Sequence, residues 1–261
     1  MNILERISAR AMLRVARYKE KISLEEIKSR ALTLPQRNFP FETALKQKNL
    51  AFICECKKAS PSKGLIAENF PYLDIARAYE AAGADAVSIL TEPEFFLGDD
   101  RFLQEVSAQI SIPCLRKDFV VDEYMIFQAK ILGAAAILLI CSILSDEQLK
   151  NFISTCNRLG LSALVEVHDE NEIKRAINCG ARIIGVNNRN LKDFSVDTGN
   201  SKRLRSLVPA EILFVSESGV KTADDVRKIR DMGADAVLIG EILMRATDKK
   251  AKLHELRACN D

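Results

Sequence analysis

A glycine-centred internal repeat constrains the fold of this chain more than any other feature of its sequence. Four segments share a Gly-Ala pair that ends a helix-like stretch and leads into an aliphatic run, and their glycines are Gly83, Gly133, Gly180 and Gly233. Glycine suits the left-handed position just past a helix end, and the aliphatic run that follows is typical of a strand. Each copy therefore predicts a helix end joined to a strand.

The spacing of the repeat sets the number of units. Successive glycines lie 50, 47 and 53 residues apart, which is too long for one strand–helix unit but suits two units of about 25 residues each. Strand-like runs occur where the second units need them, at 51–55, 112–115, 162–167 and 212–215. Four pairs of units predict eight strands that alternate with helices.

The helices between these strands begin with recognisable capping signals. The three signals pair Ser145 with Gln148, Asp169 with Glu172, and Thr222 with Asp225. Strict alternation with nearly continuous apolar strands indicates a parallel sheet covered by helices. A doubly wound open sheet gives the same alternation, but eight units of constant character favour closure, and no dinucleotide or P-loop motif follows the first strand. The predicted fold is an α/β (β/α)8 TIM barrel.

Residues 1–48 precede the barrel and carry amphipathic patterns. The apolar positions of the two predicted helices are Ile3, Ile7, Met12 and Val15, then Leu24, Ile27 and Leu32, before a break between Pro35 and Pro40. The segment is too short and too charged to form a core of its own. We predict an N-terminal helical extension (1–48) that covers the rim of a catalytic barrel (49–261), both within one structural domain.

Composition excludes several classes of partner. Lys and Arg total 38 against 36 Asp and Glu, so the chain has no surplus of charge for nucleic acid or an anionic membrane. The most apolar stretch, 131–144, is shorter than the roughly 20 residues that cross a bilayer, and the N-terminus lacks the apolar core of a secretory signal. The sequence predicts a cytoplasmic protein with no nucleic-acid or membrane partner.

The cysteines indicate a reducing compartment. None of them forms a C-x-x-C pair, and only His168 and His254 could assist a zinc site, so we expect no metal and no other cofactor. Reduced thiols within apolar runs of a cytosolic protein are the favoured interpretation. The seven positions are Cys54, Cys56, Cys114, Cys141, Cys156, Cys179 and Cys259.

Polar residues follow the predicted strands at the ends where such barrels carry their chemistry. The charged members are Glu55, Lys57, Lys117, Glu166, Arg189 and Glu217. Strand alternation places Glu55 and Lys57 on one face and Cys56 on the other. Each residue alone has a structural alternative, such as an ion pair or a solvated loop side chain. Together they predict an active site, because buried charges cost several kcal/mol unless paired.

Two glycines predict where a phosphate binds. Gly219 follows the seventh strand and Gly240 the eighth, the positions where barrels commonly hold phosphate through backbone N–H groups. Glycine lets the backbone approach the anion closely. The two positions together indicate a phosphorylated small-molecule substrate.

At this point the motifs resemble those of the indole-3-glycerol-phosphate synthase family. The similar segments are 51–64, 88–92 with Phe95 and Phe96, 115–119, 165–168, 185–189, 216–219 and 238–240. They occur in the family's order over essentially the whole chain. The resemblance implies a carboxy-lyase of tryptophan biosynthesis. Such an enzyme converts 1-(2-carboxyphenylamino)-1-deoxy-D-ribulose 5-phosphate into indole-3-glycerol phosphate, with release of CO2 and water.

The resemblance also implies catalytic roles. Lys117 looks like the general acid on the ketone oxygen, since lysine is protonated at neutral pH. Glu166 supplies acid–base function, and Lys57 is a second acid and a phosphate contact. Glu55 holds both lysines and contacts the sugar. The division of the dehydration steps between Glu166 and the Glu55–Lys57 pair stays open.

The implied binding set surrounds these groups. Arg189 resembles the residue that receives the anthranilate carboxylate, which suits a forked guanidinium. The other implied substrate contacts are Ser60, Phe96, Phe119, Leu138, Asn187, Glu217 and Ser218, and the implied phosphate contacts are Lys57, Gly219, Gly240 and Glu241. Glu241 stands where some relatives have Ser, which a backbone contact tolerates if the carboxylate turns away. His168 receives no role.

Two other functions remain alternatives from the residues alone. One is a different phosphosugar enzyme, either an isomerase or an aldolase that forms a Schiff base on Lys117. The other is a catalytically silent barrel that serves in binding or assembly. We expect a monofunctional monomer, with association to other tryptophan-pathway enzymes left open.

Overall fold

The structure is a computed structural model that describes residues 2–46, 49–190 and 194–258. Its eight barrel strands are β1 (Ala51–Cys56), β2 (Ala86–Leu90), β3 (Cys114–Lys117), β4 (Ala136–Ile140), β5 (Ser162–Val167), β6 (Ile183–Asn187), β7 (Leu213–Glu217) and β8 (Ala236–Ile239). All neighbours pair in parallel, and β1 pairs with both β2 and β8, which closes the barrel. A short antiparallel hairpin, Ala59–Ser60 with Gly64–Leu65, follows β1. The predicted (β/α)8 fold is confirmed.

Helices surround the barrel and precede it. They are α1 (Ile3–Lys21), α2 (Leu24–Thr33), α3 (Pro40–Lys46), α4 (Tyr72–Ala81), α5 (Asp100–Gln109), α6 (Tyr124–Ile131), α7 (Asp146–Leu159), α8 (Glu170–Asn178), α9 (Gly199–Arg205), α10 (Ala223–Asp231), α11 (Glu241–Arg245) and α12 (Lys249–Arg257), with a 3-10 turn at Cys141–Ile143. Across the described ranges, no helix has the length and apolar character needed to span a membrane.

The repeated glycines have the predicted backbone conformation. The φ angles of Gly83, Gly133, Gly180 and Gly233 are 84°, 84°, 88° and 82°, so each glycine ends a helix in the left-handed region. In two copies the next residue but one is aspartate. Asp85 accepts the Phe52 N–H at 2.8 Å, and Asp235 accepts the Phe214 N–H at 2.7 Å. These carboxylates tie the start of one strand to the loop before the next.

Two of the three predicted capping boxes are complete. Ser145 and Thr222 each exchange hydrogen bonds with the residue three positions later. The third is only half formed. Asp169 accepts the Glu172 N–H at 2.9 Å, but the Glu172 carboxylate accepts the backbone N–H of His168 at 2.8 Å instead of that of the cap residue. This exchange places a second carboxylate beside His168.

Strand β3 begins two residues later than predicted, at Cys114 rather than Ile112. Pro113 has no N–H to give to a ladder. The preceding N–H groups of Ser111 and Ile112 both point to Glu80 Oε1, at 2.6 and 3.3 Å. The carboxylate of α4 therefore ends the loop, and the strand starts beyond the proline.

The apolar face of the N-terminal extension differs from the predicted one. Ile7 and Val15 are buried as expected, but Met12 is 58% exposed and Leu32 is 57% exposed. The prediction that Met12 and Leu32 face the core is wrong. The buried positions follow an i, i+4 spacing that uses Ala11 in place of Met12, because α1 presents a narrow stripe to the barrel.

The extension reaches both ends of the barrel. Helix α1 lies beside the carboxyl ends of the strands, where its first turns line the central cavity. Helix α3 lies at the opposite end, where Glu42 accepts hydrogen bonds from Ser162 Oγ at 3.2 Å and Arg182 Nη2 at 2.7 Å. The predicted boundary at residue 48 lies outside the described residues.

Candidate active site

A cavity of about 610 Å³ opens at the carboxyl ends of the strands. Every barrel strand contributes to its wall, or the residue directly after it does. The structure brings the whole predicted site set to this wall: Glu55, Lys57, Ser60, Phe96, Lys117, Phe119, Leu138, Glu166, Asn187, Arg189, Glu217, Ser218, Gly219, Gly240 and Glu241.

Lys117 occupies the centre of the charged cluster. Its Nζ lies 3.1 Å from Glu166 Oε2 and 3.3 Å from Glu217 Oε2; the two glutamate side chains are 2% exposed and the lysine side chain is 14% exposed. Burial works against the ammonium charge, but Glu217, Glu166 and Glu55 outweigh it and raise the pKa of Lys117 above its usual range. Lys117 is therefore protonated at neutral pH, a form that can donate a proton but has no free electron pair to attack a carbonyl.

The two carboxylates beside Lys117 differ in protonation. Burial raises the pKa of Glu166, but Lys117 and His168 more than offset it, so the pKa of Glu166 is lowered. Burial raises the pKa of Glu217 to about 7, with Lys117 opposing the rise and the charge of Glu166 adding to it. Glu217 Oε1 is buried and finds no hydrogen-bond partner within the part of the chain that the structure describes. The cluster thus combines an ionised carboxylate with one that can hold a proton near neutrality.

Glycine at 185 makes room for the second carboxylate. A Cβ on Gly185 would collide with the Glu217 carboxylate and would lie 3.1 Å from Leu164 Cδ1. The residue is in the interior of β6, directly beside β7. Its missing side chain therefore creates the slot that Glu217 fills.

A second group of opposite charges lies on β1 and on the residue that follows it. Lys57 Nζ donates to Glu55 Oε1, and the strand alternation places both in the cavity, as predicted. A Cβ on Gly240 would collide with the Glu55 carboxylate and would lie 3.1 Å from Lys57 Nζ. The backbone at the end of β8 therefore packs directly against this ion pair.

The ends of β6 and β7 are linked by an amide. Asn187 Oδ1 accepts from Ser218 Oγ at 3.0 Å and from the Arg189 N–H at 3.0 Å. Arg189 Nη1 donates to the Phe194 carbonyl at 3.2 Å, and Arg189 lines the cavity. This arrangement brings Asn187, Arg189 and Ser218 together at one part of the cavity wall.

One wall of the cavity is apolar. Phe96 and Phe119 have ring centroids 6.1 Å apart, and Leu138 lies on the same lining. Helix α1 adds Ile3 and Ile7, which the sequence analysis placed on a helix face without assigning them to the site. Their i, i+4 spacing near the start of the chain was the available signal.

The part of the cavity where we predict phosphate binding combines a turn with positive φ angles and a group of charged side chains. Ser218 and Gly219 have φ angles of 67° and 97°. A Cβ on Gly219 would come within 2.6 Å of Thr198 Cγ2, so only glycine fits without rearrangement. Glu241 lies 3.2 Å from Arg245 Nε and 3.6 Å from Lys63 Nζ. These two cations flank its carboxylate, and all three side chains belong to residues that line the cavity.

A buried network behind Lys117 was not predicted. Asp118 accepts from Arg14 Nη2 at 2.7 and 2.8 Å and from Thr91 Oγ1 at 2.7 Å. Burial raises the pKa of Asp118, but Arg14 and Arg116 outweigh it and lower the pKa. Arg116 and Asp118 flank Lys117 in the sequence, and their side chains bind partners on α5, α6 and α1. Strand alternation at residues 116–118 could have indicated that the two neighbours of Lys117 lie on the opposite face of the strand and support it.

A closed parallel barrel with acid, base and apolar groups at the carboxyl ends of its strands defines the class, a (β/α)8-barrel enzyme. Sequence comparison gives the family. The family model for indole-3-glycerol phosphate synthase matches residues 4–256, and the chain belongs to that family.

Individual relatives agree. An indole-3-glycerol phosphate synthase from Ruminiclostridium cellulolyticum is 57% identical over 256 residues, covering 98% of each chain. One from Endomicrobium trichonymphae is 50% identical over 256 residues, covering 98% of this chain and 99% of the relative. Among solved structures, a 3-hexulose-6-phosphate synthase superposes with a TM-score of 0.65 at 16% identity, covering 80% of this chain and 99% of that one. The last likeness concerns the fold alone.

Proposed function

We propose that this chain is an indole-3-glycerol phosphate synthase of tryptophan biosynthesis. It closes the second ring of 1-(2-carboxyphenylamino)-1-deoxy-D-ribulose 5-phosphate, with loss of CO2 and water. The observation that supports this most directly is the ammonium group of Lys117, held between Glu166 and Glu217 in a cavity with an apolar wall. Family membership supplies the reaction, and this geometry supplies groups suited to its steps.

Lys117 is the acid of ring closure. The ring carbon that bears the carboxylate attacks the ketone carbon, and the ketone oxygen takes a proton from the Lys117 ammonium and becomes a hydroxyl. The intermediate then loses CO2, and the bonding electrons return to the ring. Two neighbouring carboxylates keep Lys117 protonated before the reaction, so the proton is available where the negative charge develops.

Dehydration needs a second acid and a base. The hydroxyl leaves as water after protonation, and a proton leaves the adjacent carbon that becomes part of the new double bond. Lys57, oriented by Glu55, is the acid for the departing hydroxyl. Glu166, the carboxylate with the lowered pKa, is the base. Glu55 also contacts the sugar hydroxyls.

Substrate binding follows the lining of the cavity. Arg189 receives the anthranilate carboxylate through its forked guanidinium. The aromatic ring packs against Phe96, Phe119 and Leu138. The remaining contacts divide by chemistry, with sugar contacts from Ser60, Asn187, Glu217 and Ser218, and phosphate contacts from Lys57 and the backbone of Gly219, Gly240 and Glu241.

Residues 1–48 act as a helical cover for the rim of the catalytic barrel formed by residues 49–261, within one structural domain. The contribution of α1 to the cavity wall supports this role. We propose that the protein is a cytoplasmic monomer. Light scattering at a mass near 29.1 kDa would agree with a monomer, and a doubled mass would contradict it.

The test is direct observation of the indole product. Addition of the carboxyphenylamino-deoxyribulose phosphate should produce indole fluorescence on a quiet background, since the chain has no Trp. We expect Glu166→Gln to lower kcat more than it changes KM, and Arg189→Ala chiefly to raise KM. Absence of indole product from folded wild-type protein would overturn the proposed function.

A further inference from the structure

His168 lies beside the active-site cluster in a position that the proposed mechanism does not use. It follows Glu166 by two residues, so both side chains leave β5 toward the same side. His168 Nε2 lies 3.6 Å from Glu166 Oε1 and is buried, with no hydrogen-bond partner among the described residues. The other carboxylate oxygen, Glu166 Oε2, faces Lys117 at 3.1 Å. One carboxylate is therefore flanked by an ammonium group at one oxygen and an imidazole at the other.

The other side of the imidazole is fixed by α8. Glu172 Oε2 lies 3.2 Å from His168 Nδ1 and accepts the His168 backbone N–H at 2.8 Å. A third element, α9, holds the backbone, because Asn200 Nδ2 donates to the His168 carbonyl at 3.2 Å. The ring is thus held on its backbone and at Nδ1, with Nε2 directed at Glu166.

The two flanking carboxylates determine the protonation state of the ring. An ionised carboxylate can only accept hydrogen bonds, so the contact with Glu172 requires a proton on His168 Nδ1. A neutral ring would then present a lone pair to Glu166, which is unfavourable, whereas the imidazolium is attracted to the carboxylates on both sides. Burial opposes the charge, but the hydrogen bond to Glu172 and the carboxylate of Glu166 outweigh it and raise the pKa of His168. Glu217 and Lys117 are the further charged groups of this cluster, from β7 and β3.

We propose that His168 is a positioning residue for the reaction: as an imidazolium anchored by Glu172, it holds Glu166 ionised and oriented toward Lys117. It touches neither the substrate nor the reacting atoms. The proposal rests on the proposed function for the role of Glu166, while the contact between the two side chains stands on the geometry.

Kinetics of His168→Phe and His168→Gln measure the effect on catalysis. The first variant keeps the ring shape without nitrogen, and the second keeps a donor without charge. Loss of the cation should raise the pKa of Glu166, so the acid limb of the kcat/KM profile should move to higher pH by about one unit in both variants. We expect kcat near neutrality to fall roughly tenfold in His168→Phe and less in His168→Gln, with KM nearly unchanged.

The chain supplies a matched control, because its only other histidine is His254, exposed on α12. His254→Gln should leave the profile unchanged. A wild-type profile in His168→Phe, with the fold intact by circular dichroism, would overturn the proposal. A uniform loss of kcat without a shift of the acid limb would also overturn it, since that pattern indicates a structural role.

A second readout requires no turnover and so separates this proposal from the proposed function. In His254→Gln the one remaining imidazole can be titrated by NMR. We expect its pKa above the ordinary value of about 6.5, and a lower pKa when Glu166→Gln or Glu172→Gln is added. An imidazole that titrates identically with and without Glu166→Gln would refute the coupling, whatever the activity of the enzyme.

Discussion

Lys117 shows how two carboxylates can select between reactions open to one side chain. A Schiff-base aldolase needs a neutral amine, and the sequence left that alternative open for Lys117. Glu166 and Glu217, within 3.3 Å of Nζ, keep the amine protonated by raising its pKa. The neutral form that attacks a carbonyl is thereby suppressed. The site favours proton donation over covalent catalysis.

Replacing Lys117 tests this assignment. Lys117→Ala should lower kcat by about two to four orders of magnitude, since a positioned general acid contributes roughly that factor. The indole fluorescence assay gives the rate, and circular dichroism checks the fold. Lys150→Ala, an exposed lysine on α7, is the matched control and should retain full activity. Turnover within a few-fold of wild type would refute the acid role.

Glu217 gives a pH-dependent prediction. Its folded pKa, about 7, lies above the ordinary value of 4.5, so the folded state binds this proton more tightly than the unfolded state. Its contribution to stability is complete below about pH 4.5 and is lost as pH rises through about 7. Glu217→Gln removes this loss. The difference in free energy of unfolding between the variant and the wild type should therefore be more favourable to the variant at pH 8 than at pH 5, by on the order of 1 kcal/mol.

Urea unfolding at the two pH values measures this difference. Glu211→Gln, an exposed carboxylate just before β7, should show no such pH dependence. An equal change at pH 5 and pH 8 for Glu217→Gln would mean that the carboxyl is not protonated more tightly in the folded protein. The loss of activity expected for Glu217→Gln does not enter this comparison.

The positions of the site residues could be predicted from sequence, but their protonation could not. Strand alternation alone places Glu55 and Lys57 in one cavity. The lowered pKa of Glu166 and the raised pKa of Glu217 depend on burial and on partners far away in the sequence. His168 escaped assignment for the same reason, since its meaning depends on the distances to Glu166 and Glu172.

At the scale of elements, helix α1 is fastened to the strand that carries Lys117. Arg14 donates to both oxygens of Asp118, the residue that follows Lys117. The Asp118 side chain is completely buried, so the ion pair is shielded from salt and water. The same helix supplies Ile3 and Ile7 to the cavity wall. Helix α1 therefore contacts both the apolar wall of the cavity and the end of β3, the strand that carries Lys117.

Removal of this anchor should affect both stability and binding. Arg14→Met leaves a buried carboxylate without its main partner, which we expect to cost about 3 kcal/mol in the free energy of unfolding. Looser packing of α1 should also raise KM several-fold. Chemical denaturation and steady-state kinetics measure the two effects. Arg17→Met, exposed on the same helix, is the control; comparable losses in the two variants would contradict the anchor.

Helix and strand positions followed local rules, and the exceptions have local causes. The left-handed glycines and two of the capping boxes were readable because the signals lie within a few residues. Strand β3 began later than expected because Glu80, from another element, binds the N–H groups before Pro113. The buried stripe of α1 could not be predicted, since its width depends on the barrel surface beneath it.

At the scale of the whole molecule, the cysteines belong to the buried core. All six within the described residues are reduced and buried, and burial raises the thiol pKa at each position, to about 12 for Cys114, Cys141 and Cys156. The seventh, Cys259, lies outside the described residues. A buried thiol with a raised pKa is a poor nucleophile. These thiols are packing residues.

A thiol titration reports on this core. The native protein should leave the six buried thiols unreactive toward Ellman's reagent over minutes, whereas guanidinium should expose all seven thiols of the chain. The comparison with denatured protein is the internal control. Rapid reaction of several thiols in the native state would mean that the barrel opens far more readily than its packing indicates.

The closed barrel could be predicted because the repeat encodes it four times over. The course of the N-terminal extension could not, since no repeat governs residues before the first strand. The sequence indicated a cover for the mouth, and α1 lies there. It gave no sign that α3 would lie at the far end, where Glu42 joins Ser162 and Arg182. Such contacts depend on tertiary structure alone.

The bare backbone at Gly185 has an evolutionary corollary. Because a methyl group there would occupy the space of the Glu217 carboxylate, alanine at 185 would require that carboxylate to leave its position beside Lys117. A shorter acid, as in Glu217→Asp, would free that space, whereas an unchanged Glu217 would have to turn away from Lys117. In a library randomised at both positions, we expect the residues at 185 and 217 to covary among active variants, although 32 positions separate them along the chain.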